Sequence, residues 1–223
     1  MFTGFSLIPF DHCLGETAAS FEEYAERAAA SLPDGERSFV CGESFGGPIA
    51  LTLARRYPER VRGLILLSTF ARLPHAGSLR ARVGVPLWSL LVQHTPILAR
   101  GSRILGMPGQ FGRPVSVATA MSYIREPLAS GPDYRRKVEM IATFDALPWI
   151  AEVKCPSLVL HGRRDPVVPI NAGRELGRIL PTATMHELDC GHLGYLALPD
   201  TIRAHVEHWH KMLCSAELPH TAG

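Results

Sequence analysis

A serine held between glycines, in the stretch GESFGG, is the residue of this sequence best suited to nucleophilic chemistry. Gly42, Ser44 and Gly46 give the spacing G-x-S-x-G, with an apolar run before it and a helical pattern after it. At such a strand-to-helix turn the residues two before and two after the serine crowd it and must be small, and the hydroxyl is lifted clear of the sheet. The pattern predicts a nucleophile at Ser44. The alternative is a glycine-rich turn whose serine only caps the helix.

Two later loops carry the base and the acid that a serine nucleophile requires. Asp165 follows the apolar stretch SLVLHG, and His192 follows ATMHELD. Because the carboxyl ends of parallel strands lie along one edge of a sheet, we expect Ser44, Asp165 and His192 to converge there. The backbone N–H of Phe45, at the positive end of the next helix, would then point to where an oxyanion forms.

Other acidic residues compete for these roles. Asp145 is also near a loop, but the pattern places it within a predicted helix. Asp189 is three residues from His192 on the same loop and is better suited to shaping that loop. Glu43, beside the serine, could tune the polarity of the site, although a solvated or strand-capping role is favoured. We therefore assign the acid to Asp165.

Several other histidines could belong to a functional site or could be ordinary structural residues. His205, His208 and His210 in HVEHWH have an i,i+3 spacing compatible with metal ligands, but a surface helix explains them better. His12 and His161 fall near the same sheet edge and could be pocket walls. The sequence does not decide between these roles.

Apolar runs alternate with helical patterns along the chain. FSLIPF (residues 5–10), RSFVCG, VRGLILLS, CPSLVLHG and ATMHELD are predicted strands. SFEEYAERAAASL is a predicted helix with Ser20 as N-cap and Glu23 completing a capping box, and a last long helix is expected over residues 198–213. This alternation predicts the α/β class, with a mostly parallel sheet covered by helices on both faces.

Residues 70–148 interrupt that alternation with helical patterns and a different composition. They hold ten Lys or Arg against four Asp or Glu, and eight of the 18 prolines. We interpret them as a helical cap inserted between two parts of the core, residues 1–69 with the serine and residues 149–223 with the acid and histidine loops. The positive balance of the cap suggests an anionic acyl substrate.

Composition excludes several classes of partner. The chain has 223 residues, 46% of them hydrophobic, and a formal charge of +2, which gives no reason to expect a nucleic acid. It has no apolar run near the roughly 20 residues that span a bilayer, and no signal peptide pattern. Five cysteines without CxxC spacing predict reduced thiols in a cytoplasmic protein.

Together these stretches resemble the alpha/beta-hydrolase superfamily, in the branch of serine hydrolases with a helical cap. GESFGG, HGRRDPVVP and DCGH match the three family motifs that carry the catalytic residues, and GESFGG is the turn known as the nucleophile elbow. DHCLGET is similar to the loop ahead of the helix that precedes the strand leading into this elbow. The resemblance implies Ser44 as nucleophile, His192 as base, Asp165 as orienting acid and Phe45 as an oxyanion N–H donor. A serine rather than an aspartate at the elbow argues against the haloalkane dehalogenase and epoxide hydrolase branches.

The resemblance fails at one place. Family members carry, upstream of the stretch that matches FSLIPF, another strand ending in an HG-type loop that gives a second oxyanion donor. This sequence has no such motif. We expect that it begins late; the alternative is a shortened, weakly active member. The 223-residue chain is then expected to be poorly soluble and a weak hydrolase.

The resulting functional expectation is a cytoplasmic serine hydrolase that cleaves a small ester or thioester through an acyl-enzyme on Ser44. It implies no metal and no organic cofactor. An acyltransferase or a C–C bond hydrolase would use the same three residues. A hypothesis of another class is a non-catalytic or weakly active binding protein with this fold that lacks the oxyanion loop.

Overall fold

A four-stranded parallel sheet forms the centre of the protein. The computed structural model describes residues 6, 8–10, 18–73, 96–125 and 131–217. The strands are β1 (Ser38–Glu43), β2 (Val61–Leu67), β3 (Ser157–Gly162) and β4 (Ala183–Leu188), and they lie side by side in the order β1-β2-β3-β4. Every pairing between them is parallel, so their carboxyl ends share one edge. The prediction of an α/β fold with a parallel sheet is confirmed.

Helices follow the strands along the chain. Those described are α1 (Phe21–Ser31), α2 (Gly46–Arg56), α3 (Pro96–Phe111), α4 (Val117–Arg125), α5 (Gly131–Thr143), α6 (Ile170–Ile179), the short α7 (Gly194–Ala197) and α8 (Pro199–Glu217), with a 3₁₀ turn at Ile150–Glu152. Ser20 caps α1 by accepting the N–H of Glu23 at 3.3 Å, as expected. The Glu23 carboxylate accepts a hydrogen bond from the N–H of Ala19, instead of from the Ser20 N–H that a capping box would use.

The two faces of the sheet bury different helices because successive side chains of a strand point in opposite directions. Leu64 and Leu66 of β2 pack into a cluster with α1, α2 and α6. Ile65 and Leu67 of the same strand face α8, where Trp209 closes a second cluster. The apolar run of β2 is continuous because the strand is buried on both faces. The alternation of strands and helices along the chain predicted such a sheet, covered on both sides.

The prediction of a buried strand at residues 5–10 is wrong in the part that can be checked. Ser6 and residues 8–10 belong to no strand, and the Ile8 side chain is 48% exposed. A strand is stable only beside another strand. Within the described part of the chain β1 pairs with β2 alone, so these residues have no sheet neighbour.

The segment predicted to be a cap leaves and re-enters the core at one point. Arg72 and Asp145 form an isolated antiparallel bridge, and the N–H of Ala146 donates to the carbonyl of Ala71 at 2.9 Å. Such adjoining ends are what an insertion into an existing core requires, and the division at residues 70–148 stays a prediction. Asp145 lies in this bridge, past the end of α5, so placing it within a helix was wrong.

None of the helices in the described ranges is both long enough and apolar enough to cross a membrane.

Candidate active site

Ser44 occupies a strained turn between β1 and α2. Its φ is +49°, in the left-handed region that residues with a side chain seldom adopt. Three hydrogen bonds hold the turn. The Ser44 N–H donates to Leu67 at 3.0 Å, and the Ser44 carbonyl accepts from the Gly47 N–H at 3.0 Å and from the Thr69 hydroxyl at 2.7 Å. This backbone geometry is the one that the G-x-S-x-G pattern predicted.

Two glycines make the turn sterically feasible, but they are not both the expected ones. A Cβ on Gly42 would stand 2.5 Å from the Gly46 carbonyl oxygen, as predicted. A Cβ on Gly46 would meet no described atom within 4 Å, so the crowding expected there is not found. At Gly47 a Cβ would stand 1.9 Å from Oγ1 of Thr69. The close approach of α2 to the end of β2 therefore requires glycine at 47.

His192 lies between Ser44 and Asp165. Its Nε2 is 3.0 Å from the Ser44 Oγ, and its Nδ1 is 2.8 Å from the Asp165 Oδ2. A carboxylate can only accept, so Nδ1 carries the hydrogen and the lone pair of Nε2 faces the serine hydroxyl. The structure thus brings together three residues that are far apart in sequence, in a geometry suited to proton transfer from Ser44.

The loop after β3 keeps the Asp165 carboxylate in place. Its second oxygen, Oδ1, accepts the backbone N–H groups of Val167 and Val168, both at 2.8 Å. The residue is 7% exposed. These two backbone donors satisfy Oδ1 within the buried site. The loop therefore holds the other oxygen, Oδ2, towards His192.

Phe45 is the N-cap residue of α2, where the helix dipole leaves positive potential. Its side chain is 8% exposed and packs against the rings of Phe21 and Tyr24 in α1. The ammonium group of Lys137, from α5, lies 5.6 Å from the centre of the Phe45 ring. These contacts anchor the residue, while its role as an oxyanion donor stays a prediction.

The other acidic residues and histidines considered for the site have different surroundings. Asp189 is ion-paired with Arg164 at the surface. His161 is fully buried and is not a pocket wall. His205 stacks on His186 with ring centres 4.3 Å apart, and no cluster of metal-ligating side chains occurs in the described ranges. His12 lies outside the described residues.

Comparison with known proteins identifies the family of this fold. The sequence profile of the alpha/beta hydrolase fold family matches residues 12–197. The chain belongs to this family. The matched range includes Ser44 and both loops that carry Asp165 and His192.

Individual relatives of this alpha/beta hydrolase are esterases, hydrolases and lactonases by name. The pimeloyl-[acyl-carrier protein] methyl ester esterase of Aromatoleum aromaticum is 28% identical over 84% of this chain and 79% of its own length. The 2-hydroxymuconate semialdehyde hydrolase of Pseudomonas putida is 30% identical over 69% of this chain and 55% of its own. The crystal structure of the enol-lactonase from Burkholderia xenovorans superposes with a TM-score of 0.64 at 25% identity, covering 78% of this chain and 66% of that one. They support a hydrolase and do not define its substrate.

In this alpha/beta hydrolase Glu43 faces His192 rather than solvent alone. Its Oε1 lies 3.7 Å from Nε2 of His192. Burial lowers the pKa of His192, but the hydrogen bond and charge of Asp165 and the charge of Glu43 outweigh it and hold that pKa above 6.5. Sequence analysis favoured a solvated or strand-capping role for Glu43; its position beside Ser44 was the only signal of this contact.

We expect the substitution Glu43→Gln to move the acid limb of the activity profile to lower pH. Neutral His192 is the form that can accept a proton, so activity falls as the pH drops through its raised pKa. Removing the nearby negative charge lowers that pKa and preserves the neutral form in more acidic solution. The measurement is kcat/KM for an uncharged ester across pH. Glu59→Gln, an exposed control, should leave the limb in place, and an unmoved limb in Glu43→Gln would contradict the assignment.

Thr69 was missed by sequence reasoning, although it is the second residue after β2, at the sheet edge where ligands bind. It is fully buried, and its hydroxyl donates to the carbonyl of Ser44. The same side chain fills the space left by Gly47. Thr69 therefore holds the turn of Ser44 from the end of the neighbouring strand.

The substitution Thr69→Val, which keeps the shape of the side chain, should loosen this turn. Loss of one buried hydrogen bond is expected to lower the free energy of unfolding by about 1 kcal/mol. We expect a roughly tenfold drop in kcat, because a displaced nucleophile reacts less often. Thr69→Ser keeps the hydroxyl and should retain most of the activity. Equal losses in both variants would mean that the methyl group matters and the hydrogen bond does not.

Proposed function

We propose that this protein is a serine hydrolase that cleaves small esters or thioesters through an acyl-enzyme on Ser44. The observation that carries the proposal is the pair of hydrogen bonds that His192 makes, at 3.0 Å to the Ser44 Oγ and at 2.8 Å to Asp165. A serine in this setting is activated by a base whose orientation is fixed.

The reaction would begin when Nε2 of His192 takes the hydroxyl proton as Ser44 Oγ attacks the substrate carbonyl carbon. Negative charge then develops on the carbonyl oxygen, near the N–H of Phe45 and the positive end of α2. His192, now protonated, gives its proton to the leaving alcohol or thiol, and the acyl group stays on Ser44. Water attacks this ester with His192 again acting as base, which releases the acid.

The names of the relatives support ester hydrolysis but leave neighbouring chemistries open. An acyltransferase would replace the water by another acceptor, and a C–C bond hydrolase would use the same three residues. C–C bond cleavage is the second candidate, and a P. putida relative named as a 2-hydroxymuconate semialdehyde hydrolase, rather than as an esterase, supports testing it. The anionic acyl group and a cytoplasmic location stay predictions.

Transient kinetics with p-nitrophenyl esters of increasing chain length, and with a matched thioester, test the proposal. An acyl-enzyme that forms faster than it hydrolyses gives a burst of nitrophenol close to one equivalent per protein molecule. A dienol-type C–C substrate, measured alongside, identifies the second candidate. Failure of all these substrates to turn over, with intact fold, would favour the non-catalytic binding protein.

A further inference from the structure

His161 is a second buried histidine close to the proposed site, and the mechanism above does not use it. It lies in β3 and is fully buried. Its Nε2 is 2.8 Å from the carbonyl oxygen of Val168. A carbonyl only accepts, so Nε2 carries the hydrogen and Nδ1 holds a lone pair. Within the described part of the chain no donor reaches this Nδ1.

The bond to Val168 connects β3 to the loop that holds the acid. Val168 donates its N–H to Oδ1 of Asp165, and its carbonyl accepts from His161. The same Nε2 lies 3.6 Å from Oδ2 of Asp165, the oxygen that faces His192. One peptide segment is thus fixed at both its donor and its acceptor, and the loop cannot shift without breaking one of these bonds.

A glycine in α6 fixes the His161 ring from the other side. A Cβ on Gly173 would stand 2.5 Å from Nδ1 and 2.7 Å from Cγ of the ring. The helix backbone therefore packs directly on the imidazole and prevents it from rotating away from Val168. The His161 ring occupies the space that is free because Gly173 has no side chain.

We propose that His161 is a positioning residue, which holds the loop of Asp165 through Val168 and so sets the angle at which the carboxylate meets His192. The proposal rests on the proposed function of Ser44, His192 and Asp165. It requires a neutral ring, because a positive charge 3.6 Å from Asp165 would compete with His192 for the carboxylate.

The surroundings of the ring support its neutrality. Burial lowers the pKa of His161, and nearby His192 acts in the same direction. The bond to Val168 and the charges of Asp165 and Glu187 oppose it but do not outweigh burial. Protonating Nδ1 would also bury an N–H with no acceptor among the described atoms.

Two substitutions at position 161 separate positioning from packing. His161→Gln keeps an uncharged N–H donor at about the reach of Nε2, whereas His161→Met keeps the volume and removes the donor. We expect kcat of the glutamine variant within about threefold of the parent, and a fall of about a hundredfold in the methionine variant with KM unchanged. Gly173→Ala, which displaces the ring while keeping His161, should reproduce the methionine loss.

A spectroscopic readout keeps this test independent of turnover. The proton on Nδ1 of His192, shared with Asp165, gives a far-downfield NMR signal that should persist in His161→Gln and weaken in His161→Met and Gly173→Ala. If no ester is turned over by the parent chain, the proposed function fails while this comparison still reports on His161. Equal signals and equal kcat in the glutamine and methionine variants would overturn the positioning role, as would a methionine variant identical to the parent.

Discussion

The substitution Ser44→Ala is expected to lower ester turnover by on the order of a million-fold, because the proposed nucleophile, base and acid act as a unit. Without the hydroxyl, His192 has no proton to accept and no acyl-enzyme can form. The fold should be retained, since the turn is held by backbone atoms of Ser44 and by Thr69. The measurements are kcat on a p-nitrophenyl ester and the thermal midpoint.

Ser68 offers a matched control for this experiment. It also ends a strand of the same sheet, and it has a comparable left-handed φ of +45°. Its N–H donates to the carbonyl of Leu160, and within the described part of the chain no base forms a hydrogen bond with its hydroxyl. Ser68→Ala should therefore keep most of the activity. If Ser44→Ala kept more than about one per cent of the parent rate, another group would have to be the nucleophile.

The substitution Asp165→Asn should cost about ten-thousand-fold in kcat while leaving the fold intact. The two N–H groups of Val167 and Val168 require an oxygen at the Oδ1 position, which directs the amide NH₂ of asparagine towards His192. Nδ1 must then accept, so the ring hydrogen moves to Nε2 and faces the serine hydroxyl. His192 in that tautomer cannot act as a base.

Asp189→Asn is the matched control for the acid. Asp189 is on the histidine loop but is ion-paired with Arg164 at the surface, so its change should leave kcat nearly unaltered. An exposed pair of this kind contributes little to stability. Full activity in Asp165→Asn, or a large loss in Asp189→Asn, would mean that the acid has been misassigned.

The convergence of the site residues could be predicted because it follows from local patterns and one topological rule. Ser44 comes directly after β1, while Asp165 and His192 lie in the loops that follow β3 and β4. Parallel strands bring such positions to one edge of the sheet. The elbow glycine Gly42 was predictable for the same reason, since its crowding arises within the turn itself.

The features that sequence reasoning missed depend on contacts between distant elements. Glycine is required at 47 because Thr69, at the end of another strand, occupies the space beside it. The roles of Glu43 and His161 depend on the direction of their side chains relative to His192 and the loop of Asp165. The strand expected at residues 5–10 was wrong because its apolar pattern gives no information about whether a neighbouring strand is present.

The most direct test of the central claim is the site of covalent labelling by a fluorophosphonate, mapped by mass spectrometry of the digested protein. Such probes phosphonylate a serine hydroxyl that a histidine has activated and leave ordinary hydroxyls unmodified. We predict one adduct per chain, on the peptide that contains Ser44, with labelling slowed strongly in Asp165→Asn and absent in Ser44→Ala. An intact, folded chain without an adduct, or with its adduct on another residue, would contradict the assignment of Ser44 as an activated nucleophile.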